Sequence, residues 1–249
     1  MYKRYLEELY SQLALDFNCT AGDFSRKENI LTVSAANKGR RWYSPEREFL
    51  MMATFGGNTV ITADERLHGF LSGYIKEAPG YYLFSVGNLF RLNAELEKYG
   101  YRIKRTHHMF LLSSCPKAEY SFPVRWYLDR EIDRFYGDER FHNAICDRYI
   151  PERPDRIAVT GLDGEGITGM AGCSEDAPRW QQIGIDVLPA YRSRGIGKEL
   201  VKLIRDKILA RGDIPFYGTD LGNYHSQNIA LACGFRPTWV ELNAERADV

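Results

Sequence analysis

Charge of one sign is missing from this sequence: among 249 residues, 33 Lys and Arg face 33 Asp and Glu, for a formal net charge of +0. Without bulk basicity, neither nucleic acid nor an anionic membrane is recommended as a partner. Long apolar runs are also missing, since none approaches the roughly 18 residues that a membrane helix needs. The opening MYKRYLEELYSQLALDF is amphipathic and charged from the start, with no signal-peptide core. Cysteine is sparse: Cys19, Cys115, Cys146, Cys173 and Cys233 are odd in number and hold no C-x-x-C pair. That spacing suits free thiols in a reducing compartment better than a disulfide or zinc framework. His107 and His108 are adjacent in a strand-like segment and so point to opposite faces, which argues against a metal pair. The expectation is a cytoplasmic protein with no metal, no membrane and no nucleic-acid partner, as a monomer or homodimer. The P-loop pattern G-x-x-x-x-G-K-[ST] is absent, and no G-x-G-x-x-G follows an early strand, so those phosphate-binding classes fall away.

What remains is ordinary globular composition, 44% hydrophobic and 27% charged, long enough for one large domain or two modest ones. Tyr5, Leu6, Leu9, Leu13 and Leu15 recur at close to helical spacing. Ile30 to Val33 is strand-like within a polar connection, and NTVITAD from Asn58 is rich in β-branched residues. Leu67, Phe70, Leu71, Tyr74 and Ile75 mark a helix stopped at Pro79-Gly80. Tyr81 to Val86 reads as a strand. Leu89, Leu92, Leu96 and Tyr99 mark a second helix, and YRIKRTHHMFLLSS a further strand. Ser113 to Val124, with two prolines, is the best boundary, dividing residues 1–115 from 116–249. Beyond it, RWYLDREIDRFYGDERFHNAI is expected to be helical. Asp163-Gly164 between apolar runs predicts a hairpin. A strand (Gln181 to Val187), a long helix, the strand PFYGTD, a short helix and GFRPTWVEL complete an α/β chain. The two halves follow a similar element order, which fits an internal repeat or a chance likeness of α/β units.

Between strand and long helix lies the segment Arg192-Ser193-Arg194-Gly195-Ile196-Gly197-Lys198. A helix start leaves up to four amides unpaired and carries partial positive charge. Two glycines let an anion approach those amides, and three cations surround them. Ile196, Leu200, Leu203 and Ile204 are expected to face inward, with Lys198, Glu199, Lys202 and Arg205 toward water. By spacing alone, a pyrophosphate cradle and a sharp turn with incidental arginines stay open.

This loop follows I-D-V-L-P-A-Y (Ile185 to Tyr191) and precedes Asn223, Ser226 and a short helix ending Gly234-Phe235. Together these residues resemble the GNAT superfamily of acyl-CoA-dependent N-acetyltransferases, over about Arg156 to Glu241. The resemblance implies a GNAT fold in the C-terminal half and acetyl-CoA as cofactor. It implies that the amides from Arg192 to Gly197 hold the pyrophosphate. Val187 would meet the acyl thioester, Leu188 and Asn223 the pantetheine arm, beside a splay between Gln181–Val187 and PFYGTD. Pro189, lacking a donor, fits the end of pairing there.

The implied chemistry is direct attack of a primary amine, on a small molecule or peptide, at the acetyl thioester. Glu175, Asp176 and Asp186 are candidate bases, with solvated carboxylates near turns as the competing reading. The family's usual general-acid tyrosine falls at Ala230, a departure that leaves Tyr224, His225 or solvent for that role. Cys233 reads as a packed small residue. The first half has D-E-R-L-H-G-F where a cradle would stand. It resembles a degenerate GNAT-like α/β half that walls the acceptor pocket, with Trp42, Tyr43, Phe55, Tyr81 and Tyr82 as lining candidates or core. A non-catalytic acyl-CoA-binding sensor is the second function class.

Overall fold

The computed structural model describes residues 1–164 and 166–247. The chain divides into two compact units: unit 1 holds Met1–Tyr5, Phe110–Thr219 and Asn223–Arg236, and unit 2 holds Leu6–Met109, Asp220–Gly222 and Pro237–Val249. Among the described residues no helix is long and apolar enough to cross a membrane.

In unit 1, β5 (Val124–Leu128), β6 (Asp155–Asp163), β7 (Gly166–Ala177) and β8 (Trp180–Val187) are joined in antiparallel order, and β9 (Ile214–Asp220) then runs parallel to β8. The β6–β7 pair is the expected hairpin around Asp163-Gly164. Strand alternation sends Ile157, Val159, Ala171, Cys173 and Ile183 under Leu200, Val201, Ile204 and Ile208 of helix α4 (Ile196–Ala210). The other face buries Ala158 and Met170 against Phe135, Phe141, Ala144 and Ile145. On that face β7 and β8 carry glycine where the 141–145 segment crosses. A Cβ on Gly172 would lie 2.2 Å from the Ala144 carbonyl oxygen, and one on Gly184 would lie 1.8 Å from that of Asn143.

Three expectations fail, each because tertiary contacts outweigh local pattern. The expected helix after Val124 is instead β5, paired from Val124–Gly161 to Leu128–Ile157, followed by 3-10 turns at Asp129–Phe135 and Glu139–Phe141. Asp129, at φ +47°, breaks the backbone between them. The expected strand at Tyr81–Val86 is a 3-10 turn, Gly80–Phe84, burying Gly80 and Leu83 three residues apart. There Gly80 lies against backbone, since a Cβ on it would sit 1.9 Å from the Gly57 carbonyl oxygen. The element order of the two halves therefore diverges at this point. Tyr81 and Tyr82 do not alternate across a strand but stack on each other, half-exposed, with ring centroids 4.4 Å apart.

The third correction concerns α4. Glu199, Lys202 and Arg205 are buried, not solvated. The Ser113–Val124 segment crosses that face of the helix, and the polar side chains satisfy its backbone. Glu199 Oε2 accepts from the Glu119 amide (2.6 Å), Lys202 Nζ donates to Lys117 O (3.2 Å) and Arg205 Nη2 donates to Pro116 O (2.8 Å). A buried backbone group without a partner would cost about 1–3 kcal/mol, so the charged side chains are there for the strap.

Unit 2 orders its strands β1 (Ile30–Val33), β3 (Thr59–Ala63), β2 (Leu50–Thr54) and β10 (Phe235–Arg246), followed by β4 (Tyr101–Leu112), with β1–β3 parallel and β3–β2 and β2–β10 antiparallel. The sequence reading passed over β2, whose five residues are all buried and lack the alternation that marks a half-buried strand. Helix α1 (Tyr2–Asp16) leads the chain, and α2 (His68–Tyr74) and α3 (Val86–Glu97) cover β2 and β3 through Leu71, Leu92 and Leu96. Phe55 is core, ringed by Tyr10, Phe24 and Trp239. Tyr43 belongs to a buried ionic cluster. Its hydroxyl donates to Glu241 (2.8 Å), while Arg41 bonds Glu241 through Nη2 (2.7 Å) and Asp16 through Nε (2.6 Å).

One buried acid makes stability depend on pH. Asp155, at the start of β6, accepts from the Cys146 amide, yet burial pushes its carboxyl up from 3.8 to about 6. A raised carboxyl favours its neutral form, so its stabilising contribution is complete below pH 3.8 and is lost as pH rises through about 6. Asp155→Asn, which cannot ionise, is expected to be more stable than the natural chain at pH 7 by about 2 kcal/mol and to lose that advantage by pH 4. Denaturant midpoints of both proteins across this range check it. A gap independent of pH would refute it.

Candidate acyl-coenzyme A site

The site is built where β8 ends. Leu188 N donates the last bond to β7, at Thr168 O (2.9 Å), and Pro189, with no donor, begins a 3-10 turn to Tyr191. The chain then takes left-handed φ at Ser193 (+60°) and Gly195 (+79°), which turns successive amides to a common side. Gly195 is the N-cap of α4 and supplies no side chain. The first helical bond runs from Glu199 N to Gly195 O, so the amides of Ile196, Gly197 and Lys198 precede it. Gly197 lies against β8 and α5 (Tyr224–Ala232): a Cβ there would stand 3.1 Å from Val187 Cγ2 and 3.4 Å from Ile229 Cδ1.

The cations divide their work. Arg192, Ser193 and Arg194 are exposed. Arg192 Nε donates to Val187 O (3.0 Å), and the Arg194 guanidinium lies 5.3 Å from the centre of the Tyr191 ring. Lys198 Nζ stands 3.7 Å from Glu199 Oε1.

Beside this turn the sheet opens. The parallel β8–β9 ladder runs from Trp180–Ile214 to Ile183–Tyr217, leaving Gly184–Val187 and Gly218–Asp220 beyond its end. In an antiparallel pair, N–H and C=O groups alternate between the two sides of a strand. Since Leu188 bonds Thr168, and Val187 stands opposite Gly169 in an unbroken register, Asp186 and Gly184 also point their backbone groups at β7. The backbone groups of Ile185 and Val187 therefore point toward the open side. Val187 was expected to meet the acyl thioester, and Ile185, whose backbone shares its side of the strand, was not singled out from sequence. The i, i+2 spacing was the available signal.

Asn223 caps α5, its Oδ1 accepting from the Ser226 amide (3.1 Å). Ser226 Oγ in turn lies 2.7 Å from the Tyr217 hydroxyl, a contact not foreseen from sequence. Tyr224 is exposed, and Ala230 is packed in the core. Cys233 is buried with its thiol directed at Lys198 O (3.2 Å), and burial pushes it up to about 12, which fits a packed residue.

The three candidate bases are each engaged elsewhere. Asp186 accepts from the amides of Asn143 (2.8 Å) and Ala144 (2.9 Å) and from Asn143 Nδ2 (2.7 Å), pinning the 141–145 segment to β8. Glu175 pairs with Arg156 (2.6 Å), and Asp176 pairs with Arg153 (2.6 Å) and accepts from Ser174 Oγ (2.7 Å). Glu175 stands opposite Gln181 in the ladder. At about 3.3 Å per residue, that places it roughly 20 Å along β8 from Val187. The structure brings Val187, Gly195, Gly197, Lys198 and Asn223 to one end of unit 1 and leaves Glu175 and Asp176 at the other. Among the described residues, no group of three His, Cys, Asp or Glu could hold a metal ion.

The start of α4, with its left-handed turn, is thus directly continued by the open edge of β8. Residues 121–235 match the model of the acetyltransferase (GNAT) family. These residues form a GNAT acetyltransferase domain with a mixed α/β fold. Among solved structures, the chain is similar to a GCN5-related N-acetyltransferase-like protein from Streptococcus suis (15% identity, TM-score 0.45, covering 64% of this chain and 67% of that one). It is also similar to a Drosophila protein (12% identity, TM-score 0.48, 98% and 89% covered) and to a Salmonella typhimurium protein solved with its cofactor acetyl-CoA (16%, 0.36, 52% and 95%). The chain spans 57–67% of the length of the first five structures it matches. No curated protein matches it.

Proposed function

We propose that the chain transfers the acetyl group of acetyl-CoA to a primary amine of a small molecule or peptide. The observation that carries this reading is the continuity of the α4 start with the backbone of Ile185 and Val187 beyond the end of the β8–β9 ladder. The residues present suit the cofactor: amides 196–198 with Arg194 and Lys198 for the pyrophosphate, and strand backbone for the amide-bearing arm. When bound, acetyl-CoA supplies an acetyl group activated as a thioester. The amides of Ile185 and Val187 would be the donors to the thioester carbonyl oxygen as it gains charge. Arg192, holding Val187 O, keeps that strand end from turning. With Glu175, Asp176 and Asp186 committed to other partners, we assign removal of the amine proton to water. The chain's balanced charge leaves nucleic acid outside this reading.

A non-catalytic acyl-CoA-binding role is the second reading, favoured by Ala230 at the position of the expected tyrosine. Acetyl-CoA in thousandfold excess over its dissociation constant is expected to stabilise the fold by about 4 kcal/mol. A thermal-shift titration with acetyl-CoA and CoA checks this, and no shift would remove both readings. Thiol release from acetyl-CoA against a panel of amines then separates them, since a sensor binds without turnover.

A further inference from the structure

Tyr217 is the last β9 residue in the β8–β9 ladder, so it marks the point where the gap closes. Its ring is sealed in the core, 2% exposed, between Phe110 (6.4 Å between centroids) and Phe235 (6.1 Å). A phenol in such a place needs a partner, and packing alone would be served by phenylalanine. Its partner is Ser226 Oγ, half-buried in the first turn of α5, whose backbone is fixed by the Asn223 cap. One helical turn further along the same face, Ala230 presents a methyl group with no proton to give.

We propose that Ser226, backed by Tyr217, is the proton donor to the leaving thiolate at the closed end of the gap. This inference rests on the acetyl-CoA reading above. A ligand arm that enters beside Gly197 and follows Val187 and Ile185 is stopped where Ile183 and Tyr217 pair, and Ser226 is bonded to the hydroxyl of the residue at that stop. With the Tyr217 hydroxyl donating to Ser226 Oγ, the serine proton is directed outward. As the acetyl carbon–sulfur bond breaks, its electron pair stays on sulfur. Ser226 gives sulfur a proton and takes one from Tyr217. The proton that the acceptor nitrogen sheds on bonding to the acetyl carbon passes through water to Ser226, which hands its own back to Tyr217, so no charge is left on the protein. Burial pushes the Tyr217 hydroxyl up to about 12, which keeps it protonated as a donor at neutral pH. Ser226 is the catalytic group and Tyr217 a positioning residue.

The test compares CoA with desulfo-CoA by isothermal titration on the full chain. The natural protein is expected to prefer CoA by about 3- to 10-fold, the range of one added hydrogen bond. Ser226→Ala should remove that preference, Tyr217→Phe should reduce it, and Ser226→Thr, which keeps the hydroxyl, should retain it. With an amine that turns over, kcat should fall at least about 10-fold in Ser226→Ala while KM for acetyl-CoA holds. Melting curves establish that each variant folds. If Ser226→Ala melts early, the isosteric Tyr217→Phe carries the same comparison. An unchanged preference in the folded variants overturns the relay and leaves the cofactor site standing. Failure of the natural protein to bind CoA overturns the function itself.

Discussion

Gly195→Asp is expected to fold and to bind CoA at least about 100-fold more weakly, a loss near 2.7 kcal/mol. Two effects combine. At φ +79° a side chain is strained, though nothing stands within 4 Å of its Cβ and aspartate tolerates this region better than most residues. The cost to folding is therefore about 1–2 kcal/mol, not a collapse. The cost to binding is larger, because the carboxylate occupies the helix start where an anion is meant to lie and cancels its partial positive charge. Gly197→Asp is the less clean variant. Its Cβ would crowd Val187 Cγ2 at 3.1 Å, disturbing the strand edge as well as the cradle. Isothermal titration with CoA, beside melting curves, is the measurement. A folded Gly195→Asp protein that binds CoA like the natural chain would place the cofactor elsewhere.

Arg41→Met should destabilise unit 2 by about 3–5 kcal/mol, the usual consequence of removing one member of a buried ionic group. For a chain of this length that corresponds to roughly 10 °C in melting temperature. Arg41 bridges Asp16 and Glu241, and the arginine and both acids are almost fully buried. Burial works against a charged Glu241. The Arg41 guanidinium, with bonds from Trp239 Nε1 (2.9 Å) and the Tyr43 hydroxyl, more than offsets it and holds the carboxyl below its usual range. Removing the guanidinium leaves two desolvated acids without their cation. Glu241→Gln should cost less, because Arg41 keeps Asp16 and the amide oxygen can still accept from Trp239. A thermal scan that ranks Glu241→Gln as the more damaging change would show that Arg41 is not the centre of the cluster.

The sequence by itself determined the elements whose cause is local. Alternation gave β8, the Asp163-Gly164 turn placed the hairpin, and the apolar period of Ile196, Leu200 and Ile204 laid out α4 behind a glycine-rich start. The loop proposed to hold the cofactor was legible because a helix terminus and two glycines belong to one short stretch of chain. Tertiary structure decided the rest. Val124–Leu128 became a strand because β6 offered an edge, and Tyr81–Phe84 did not because Gly80 lies against Gly57. Arg205 and Lys202, polar in any pattern reading, are buried because the Pro116–Glu119 backbone crosses them and needs donors. Asp186 was a plausible base until the loop amides of Asn143 and Ala144 were found on its carboxylate. Arg41 and Glu241, 200 residues apart, carry no periodic signal of their pairing. Local rules see φ, caps and period. Which polar group meets which partner depends on chain segments brought together only by folding.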